Sequence, residues 1–255
     1  MNSPAGKIST SQQDRYAVVF GVGPINGLGA ALCRKFASEG LVTLAVGRTQ
    51  ASLDEVVRVI EDEGGRAEAR VCDSTDEGEV AALFRAMSEE AKPIVLAVYN
   101  TGNNMPVSSL DMTGAQFEKL WRLCAYGGFV AGREAARHML DHGEGGSILF
   151  TGATASLKAR PPFVGFAAAK AAERSVAHGL AREFGPQGLH VAHIIVDGII
   201  GGDKVRERFP EFYEARGEDG VLDLGDMADA YWMLHCQPKT TWTLELDLRP
   251  YKEPF

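Results

Sequence analysis

The stretch Tyr16 to Gly29, Tyr-Ala-Val-Val-Phe-Gly-Val-Gly-Pro-Ile-Asn-Gly-Leu-Gly, constrains the fold more than any other. Tyr16 to Phe20 is a short apolar run rich in β-formers and predicts a buried strand. Gly23, Gly27 and Gly29 follow at the spacing G-x-x-x-G-x-G. Leu28, Leu32 and Phe36 then recur at helical spacing, and Gly40 is a suitable stop. A strand, a glycine turn and a helix N-terminus together suit a diphosphate: the first turn offers unpaired N–H groups and partial positive charge. Glycine lets an anion approach where a Cβ would intrude. The narrower fingerprint G-x-G-x-x-G does not fit, because its last glycine falls at Asn26.

The remaining chain repeats the alternation. Strands are expected at Leu41–Val46, Ala67–Cys72, Pro93–Tyr99, Ser147–Thr151, Leu189–Val196 and Thr241–Leu248. Helices are expected at Ser52–Glu63, Glu77–Glu90, about Ala115 to His142 as one long element, Phe163–Phe184 and Gly225–His235. Seven strands alternating with helices predict an α/β, single-domain, doubly wound Rossmann fold, its largely parallel sheet covered on both faces. Residues 1–14 read as a polar, flexible lead-in without the apolar core of a secretory signal, and 15–255 as the nucleotide-binding domain. The charged segment 201–220 reads as a lid or a loosely packed excursion.

Composition excludes several classes. The 255 residues carry a net charge of −8, which argues against a nucleic-acid partner. No apolar run approaches the ~20 residues of a membrane span. Cys33, Cys72, Cys124 and Cys236 lack metal or disulfide spacing, and the expected setting is a reducing, cytoplasmic one.

The ends of the expected strands nominate binding residues. Arg48 directly follows the second strand, where a doubly wound fold faces the adenosine ribose. Its planar guanidinium suits a 2′-phosphate and favours NADP(H) over NAD(H). Asp73 ends the third strand, where it accepts from an adenine amino group, caps the next helix, or does both; Ser74 follows it. Asn100-Thr101-Gly102 ends the fourth strand.

These residues resemble the short-chain dehydrogenase/reductases over nearly the whole chain. The resemblance rests on Gly23-x-x-x-Gly27-Leu28-Gly29, Asp73, Asn100-Thr101-Gly102 and Phe166-Ala-Ala-Ala-Lys170. It implies a nicotinamide coenzyme, with Ile25 and Asn26 in the glycine turn and Ile199 and Ile200 after the sixth strand among its contacts. It also implies a homodimer or homotetramer built on the two long helices. Lys170 keeps the family's lysine position, but Phe166, Ala153 and Cys124 stand at the tyrosine, serine and asparagine positions. Three of the four polar catalytic groups are therefore replaced.

General acid catalysis is worth ~10²–10⁴-fold, so ordinary ketone reduction by the family mechanism is doubtful. The expected activity is an NADP(H)-dependent reduction of a conjugated C=C or C=N bond, or a carbonyl, in a small hydrophobic substrate. The alternatives are a nucleotide-binding protein without turnover and a non-redox isomerase, dehydratase or cyclase with a pocket lined by Ala153, Phe163 and Phe166. Candidate replacement donors are Thr154, Ser156, Tyr126, Tyr99 and His193. Each also has a structural reading: strand packing for Tyr99, a satisfied strand histidine for His193, and loop hydroxyls bonded to backbone for Thr154 and Ser156.

Overall fold

The computed structural model describes residues 14–254. The expected lead-in lies outside these residues except for Asp14, whose carboxylate accepts from Arg66 at 2.5 Å. The strands are β1 (Tyr16–Phe20), β2 (Val42–Gly47), β3 (Arg66–Val71), β4 (Ile94–Tyr99), β5 (Gly146–Thr151), β6 (Leu189–Val196) and β7 (Glu245–Leu248). They form one seven-stranded sheet in the order β3-β2-β1-β4-β5-β6-β7, and every adjacent pair is parallel. The doubly wound fold predicted from the sequence is therefore present.

Apolar runs and burial agree strand by strand. β1, β2, β4 and β6 are buried along their whole length, whereas the edge strands β3 and β7 are partly exposed. Strands covered on both faces read as continuous apolar runs. The helices are α1 (Leu28–Ser38), α2 (Gln50–Asp62), α3 (Glu77–Glu89), α4 (Gly114–Trp121), α5 (Gly127–His142), α6 (Val164–Phe184), α7 (Asp203–Arg208), α8 (Pro210–Glu214) and α9 (Leu224–His235). One apolar core lies between the sheet and α1, α2 and α9; a second lies between the sheet and α3, α5 and α6.

Two expectations need correction. The long helix is not uniform: Arg122–Tyr126 forms a π-helical turn between α4 and α5. Tyr99 explains it. Its hydroxyl donates to Leu123 O at 2.5 Å, and a Cβ on Gly127 would stand 2.3 Å from that hydroxyl. A side chain inserted against the helix takes a carbonyl out of the regular ladder. The last strand is also shorter than expected. The side chain of Gln237 binds Thr243 through its N–H and its hydroxyl, both at 2.8 Å, and Trp242 stacks on His190 with ring centroids 5.1 Å apart. Residues 241–244 are thereby held ahead of the strand, which starts at Glu245.

The alanine-rich α6 packs inward. Ala167, Ala169 and Ala177 are buried within the chain itself.

Candidate active site

In a doubly wound sheet, ligands enter where the strand order reverses, outside the carboxyl ends of the strands. Here that crevice opens between β1 and β4. The backbones around it are locked together: Asn100 N donates to Phe20 O at 3.1 Å, joining the ends of β4 and β1. A Cβ on Gly29 would come 2.9 Å from Gly21 O and 3.0 Å from Val22 Cα, so only glycine lets α1 start this close to β1. A Cβ on Gly23, by contrast, would meet nothing within 4 Å. The α1 N-cap, Gly27, has no side-chain cap, and the first turn holds no acidic residue. A cradle with open space over Gly23 and uncapped N–H groups at α1 fits the diphosphate of a dinucleotide.

On the adenosine side, Arg48 is exposed at the end of β2, close enough that its charge helps hold the Asp73 carboxyl low. The larger cause of that shift is the N–H of Thr75, which donates to Asp73 Oδ1 at 2.9 Å. Asp73 thus closes a local turn, while Asp76 is the residue that caps α3. The Ser74 hydroxyl is buried 3.3 Å from Tyr99 Oη. Any contact from Ser74 to a nucleotide therefore falls to its backbone.

At the other end, Lys170 reaches from α6 to the ends of β4 and β5. Its Nζ donates to Thr151 O and to Glu173 Oε2, both at 2.7 Å. A Cβ on Gly102 would stand 3.2 Å from the same Nζ. Lys170 is 4% exposed and Glu173 is not exposed at all. Burial pushes the Glu173 carboxyl up to about 7 against the pull of the Lys170 charge. Burial is the largest single influence on the Lys170 ammonium and draws it down, but the charge and hydrogen bond of Glu173, together with Cys124, turn the net shift upward. The sequence reading missed Glu173; its place three residues after Lys170 on a helix was the available signal.

The three residues expected at the catalytic positions offer no hydroxyl or carboxamide here. Phe166 is half-buried and packs with Met105 and Met112 against Leu120, Cys124 and Ala169. Cys124 lies in the π-helical turn, and burial pushes its thiol up to about 11. Ala153 is half-buried and extended just ahead of a short turn over Thr154–Ser156.

Three of the five other candidate donors are committed elsewhere. Thr154 Oγ1 donates to Asp197 Oδ1 at 2.5 Å, and Asp197 also accepts from Arg249. Tyr126 donates to Glu77 Oε2 at 3.0 Å, on α3. Tyr99 is spent on Leu123 O. His193 is fully buried behind Gly152, where a Cβ would lie 2.1 Å from its Nε2. Burial lowers its pKa to about 4, which keeps it neutral. It is not the satisfied strand histidine expected: neither ring nitrogen has a hydrogen bond, and Nδ1 lies 3.3 Å from Glu245 Oε1. Ser156 Oγ is buried without a hydrogen-bond partner.

The segment 201–220 is tethered across the crevice. Asp203 N donates to Asn26 O at 3.0 Å, and Lys204 Nζ donates to Asn103 Oδ1 at 2.7 Å. α7 is thereby tied both to the glycine turn and to the loop after β4. Ahead of it, the carbonyls of Ile199 and Ile200 accept from Leu222 N at 2.8 Å and Gly202 N at 2.9 Å.

Comparison with known proteins agrees with this geometry. A family model described as short chain dehydrogenase matches residues 17–209. A short-chain dehydrogenase of Rhodopseudomonas palustris is 38% identical and aligns over 94% of this chain and 100% of its own, with a TM-score of 0.80. A short-chain dehydrogenase/reductase of Armillaria gallica is 31% identical over 186 residues, 72% of this chain and 70% of that protein. An NADPH-bound short chain oxidoreductase of Pseudomonas aeruginosa with an atypical catalytic center shares the fold, with a TM-score of 0.83 over 94% and 98% of the two chains. At 20% identity, that last likeness is one of fold.

Proposed function

The chain belongs to the short-chain dehydrogenase/reductase family, and on that footing we propose that it is an NADP(H)-dependent oxidoreductase with a non-standard catalytic centre. The observation that carries this reading is the survival of Lys170, buried at the ends of β4 and β5, beside an apolar cluster that includes Phe166 and Cys124. The parts suited to holding a coenzyme are kept while those suited to moving a proton are not.

The bound coenzyme supplies a hydride. The uncapped start of α1 and the turn at Gly23, Ile25, Asn26, Gly27, Leu28 and Gly29 hold its diphosphate. Arg48 takes the 2′-phosphate, and Asp73 and Ser74 border the adenine. Asn100 and Gly102 shape the floor of the site, and Lys170 binds the nicotinamide ribose. Ile199 and Ile200 offer their amide N–H groups to the carboxamide, their carbonyls being already engaged.

Phe166, Met105 and Met112 give the substrate side an apolar wall. With Thr154, Tyr126 and Tyr99 committed to other acceptors and His193 kept neutral by burial, Ser156 is the one candidate hydroxyl left uncommitted, and the substrate is one whose reduction needs little from an adjacent acid. A conjugated C=C or C=N bond fits, because its proton can arrive later from water. The test is stopped-flow oxidation of NADPH with enones, imines and ketones. Turnover is expected with the first two and little with ketones; no hydride transfer to any of them contradicts the reading. The same tied hydroxyls favour a second reading, a coenzyme-binding protein without turnover, which that outcome supports.

Arg48→Ala is expected to weaken NADPH binding roughly ten- to a hundredfold, the worth of a charge-assisted bidentate contact. NADH binding is expected to stay unchanged, and fluorescence titration of both coenzymes checks this. We further propose a homodimer or homotetramer through the long helices, where Phe117, Trp121 and Phe129 are exposed. The four cysteines, all free, suit the reducing conditions of a cytoplasm. No helix among the described residues is long and apolar enough to cross a membrane.

A further inference from the structure

The buried pair Lys170–Glu173 has a feature that holding a ribose does not require. A lysine needs only its N–H donors for that task, yet this one carries a carboxylate at 2.7 Å inside the protein. Glu173 Oε2 accepts from Lys170, and Glu173 Oε1 has no hydrogen-bond partner among the described residues. Among these residues the carboxylate therefore ties no second element into place, and Lys170 is its one hydrogen-bond partner. A buried ion pair is also a weak device for stability, because well-packed apolar side chains usually serve as well.

What the pair does alter is charge at one end of the crevice. The other titratable groups facing it are Cys124 from the π-helical turn, Tyr99 from β4, Tyr231 from α9 and His193 from β6. Burial keeps each of them neutral, raising the thiol and phenols and lowering the imidazole. Arg174, His178 and Glu245 form their own cluster beyond His193. The net charge beside Thr151 and Gly102 is thus set by Lys170 and Glu173 together. The two redox forms of a nicotinamide coenzyme differ in this respect: the oxidised ring carries a positive charge and the reduced ring carries none. An uncompensated ammonium at the ribose disfavours the oxidised form, more so in a site of low dielectric.

We propose that Glu173 is a positioning residue for coenzyme charge: by cancelling the charge of Lys170, it lets the site hold the oxidised and reduced nicotinamide coenzymes with comparable affinity. This rests on the NADP(H) reading given above.

The experiment is a pair of calorimetric titrations, NADP⁺ and NADPH, on the wild-type protein and on Glu173→Gln at a pH well above the Glu173 value of about 7, where the wild-type carboxylate is ionised. The amide keeps the shape and removes the charge. The ratio of the two affinities is expected to move on the order of tenfold against NADP⁺ in the variant, as for a unit charge exposed to another across a partly desolvated gap. A purely structural role weakens both coenzymes alike and leaves the ratio fixed.

Should Glu173→Gln not fold, the wild-type protein carries the test. As pH falls through about 7, Glu173 takes a proton and Lys170 loses its counter-charge, so NADP⁺ weakens relative to NADPH. Both coenzymes carry the 2′-phosphate, so its own titration cancels in the ratio. A ratio that neither the variant nor the pH change moves overturns the inference alone. Failure of both coenzymes to bind wild-type protein overturns it together with the reading beneath it.

Discussion

Lys170→Met destabilises the protein by about 3–5 kcal/mol, the cost of leaving a buried charge without its partner, while Lys170→Met combined with Glu173→Leu recovers most of that loss. The first half of this expectation follows from burial. Glu173 is fully enclosed, and among the described residues its Oε2 has Lys170 as sole hydrogen-bond partner and its Oε1 has none. Removing the ammonium leaves a carboxylate that must either stay charged in an apolar setting or hold a proton it would shed in the unfolded chain. The second half follows from what surrounds it. Ala169, Tyr99 and Tyr231 are buried nearby on α6, β4 and α9, so a leucine has apolar neighbours to meet. In thermal unfolding the single variant should fall on the order of 10 °C below the wild type, at a few degrees per kcal/mol for a chain of this size. Urea denaturation of the wild type, both single variants and the double variant gives the coupling directly. A double variant as unstable as the sum of the singles contradicts the paired reading.

The glycine turn gives the second large effect, through two substitutions six residues apart in the chain. Gly29→Val should damage both the fold and the binding site. Its Cβ would lie 2.9 Å from Gly21 O, and neither that carbonyl nor Val22 is the movable end of a side chain. α1 must shift away from β1, and with it the N–H groups that face a diphosphate. Gly23→Ala should leave stability within about 0.5 kcal/mol, as for a substitution that meets no neighbour. The new methyl nonetheless stands in the space a phosphate needs, so NADPH affinity should fall by on the order of a hundredfold, two lost charge-assisted contacts at about 1.5 kcal/mol each. Circular dichroism melts and coenzyme titration on the same samples separate the two cases. Equal binding by Gly23→Ala and wild type would mean that the open space above Gly23 is not where the phosphates lie.

Much of the architecture was legible because it depends on period and punctuation. The apolar runs of β1, β4 and β6, the glycine stop after α1 and the alternation of strand and helix all survive in the structure. What escaped depends on contacts between distant residues. The π-helical turn is produced by Tyr99 reaching into a helix more than twenty residues later, and local periodicity holds no trace of it. The late start of β7 comes from Gln237 and from a stack of Trp242 on His190. In the candidate site, the positions of Phe166, Ala153, Cys124 and Lys170 could be set by motif spacing. Spacing does not reveal that the Thr154 hydroxyl donates a hydrogen bond to Asp197, or that the segment after β6 is tied to Asn26 and Asn103. Glu173 was visible as a letter but not as a buried partner, since a glutamate on a helix is ordinarily solvated.

The central claim is that this crevice holds a phosphorylated nicotinamide coenzyme, gripped by the start of α1, by Arg48 and by Lys170. Isothermal titration calorimetry of the purified wild-type protein with NADPH, NADP⁺ and NADH tests it most directly. Saturable binding of a single NADPH or NADP⁺ per chain is expected, with markedly weaker binding of NADH. Absence of heat with both phosphorylated coenzymes, or NADH binding as tightly as NADPH, would contradict it.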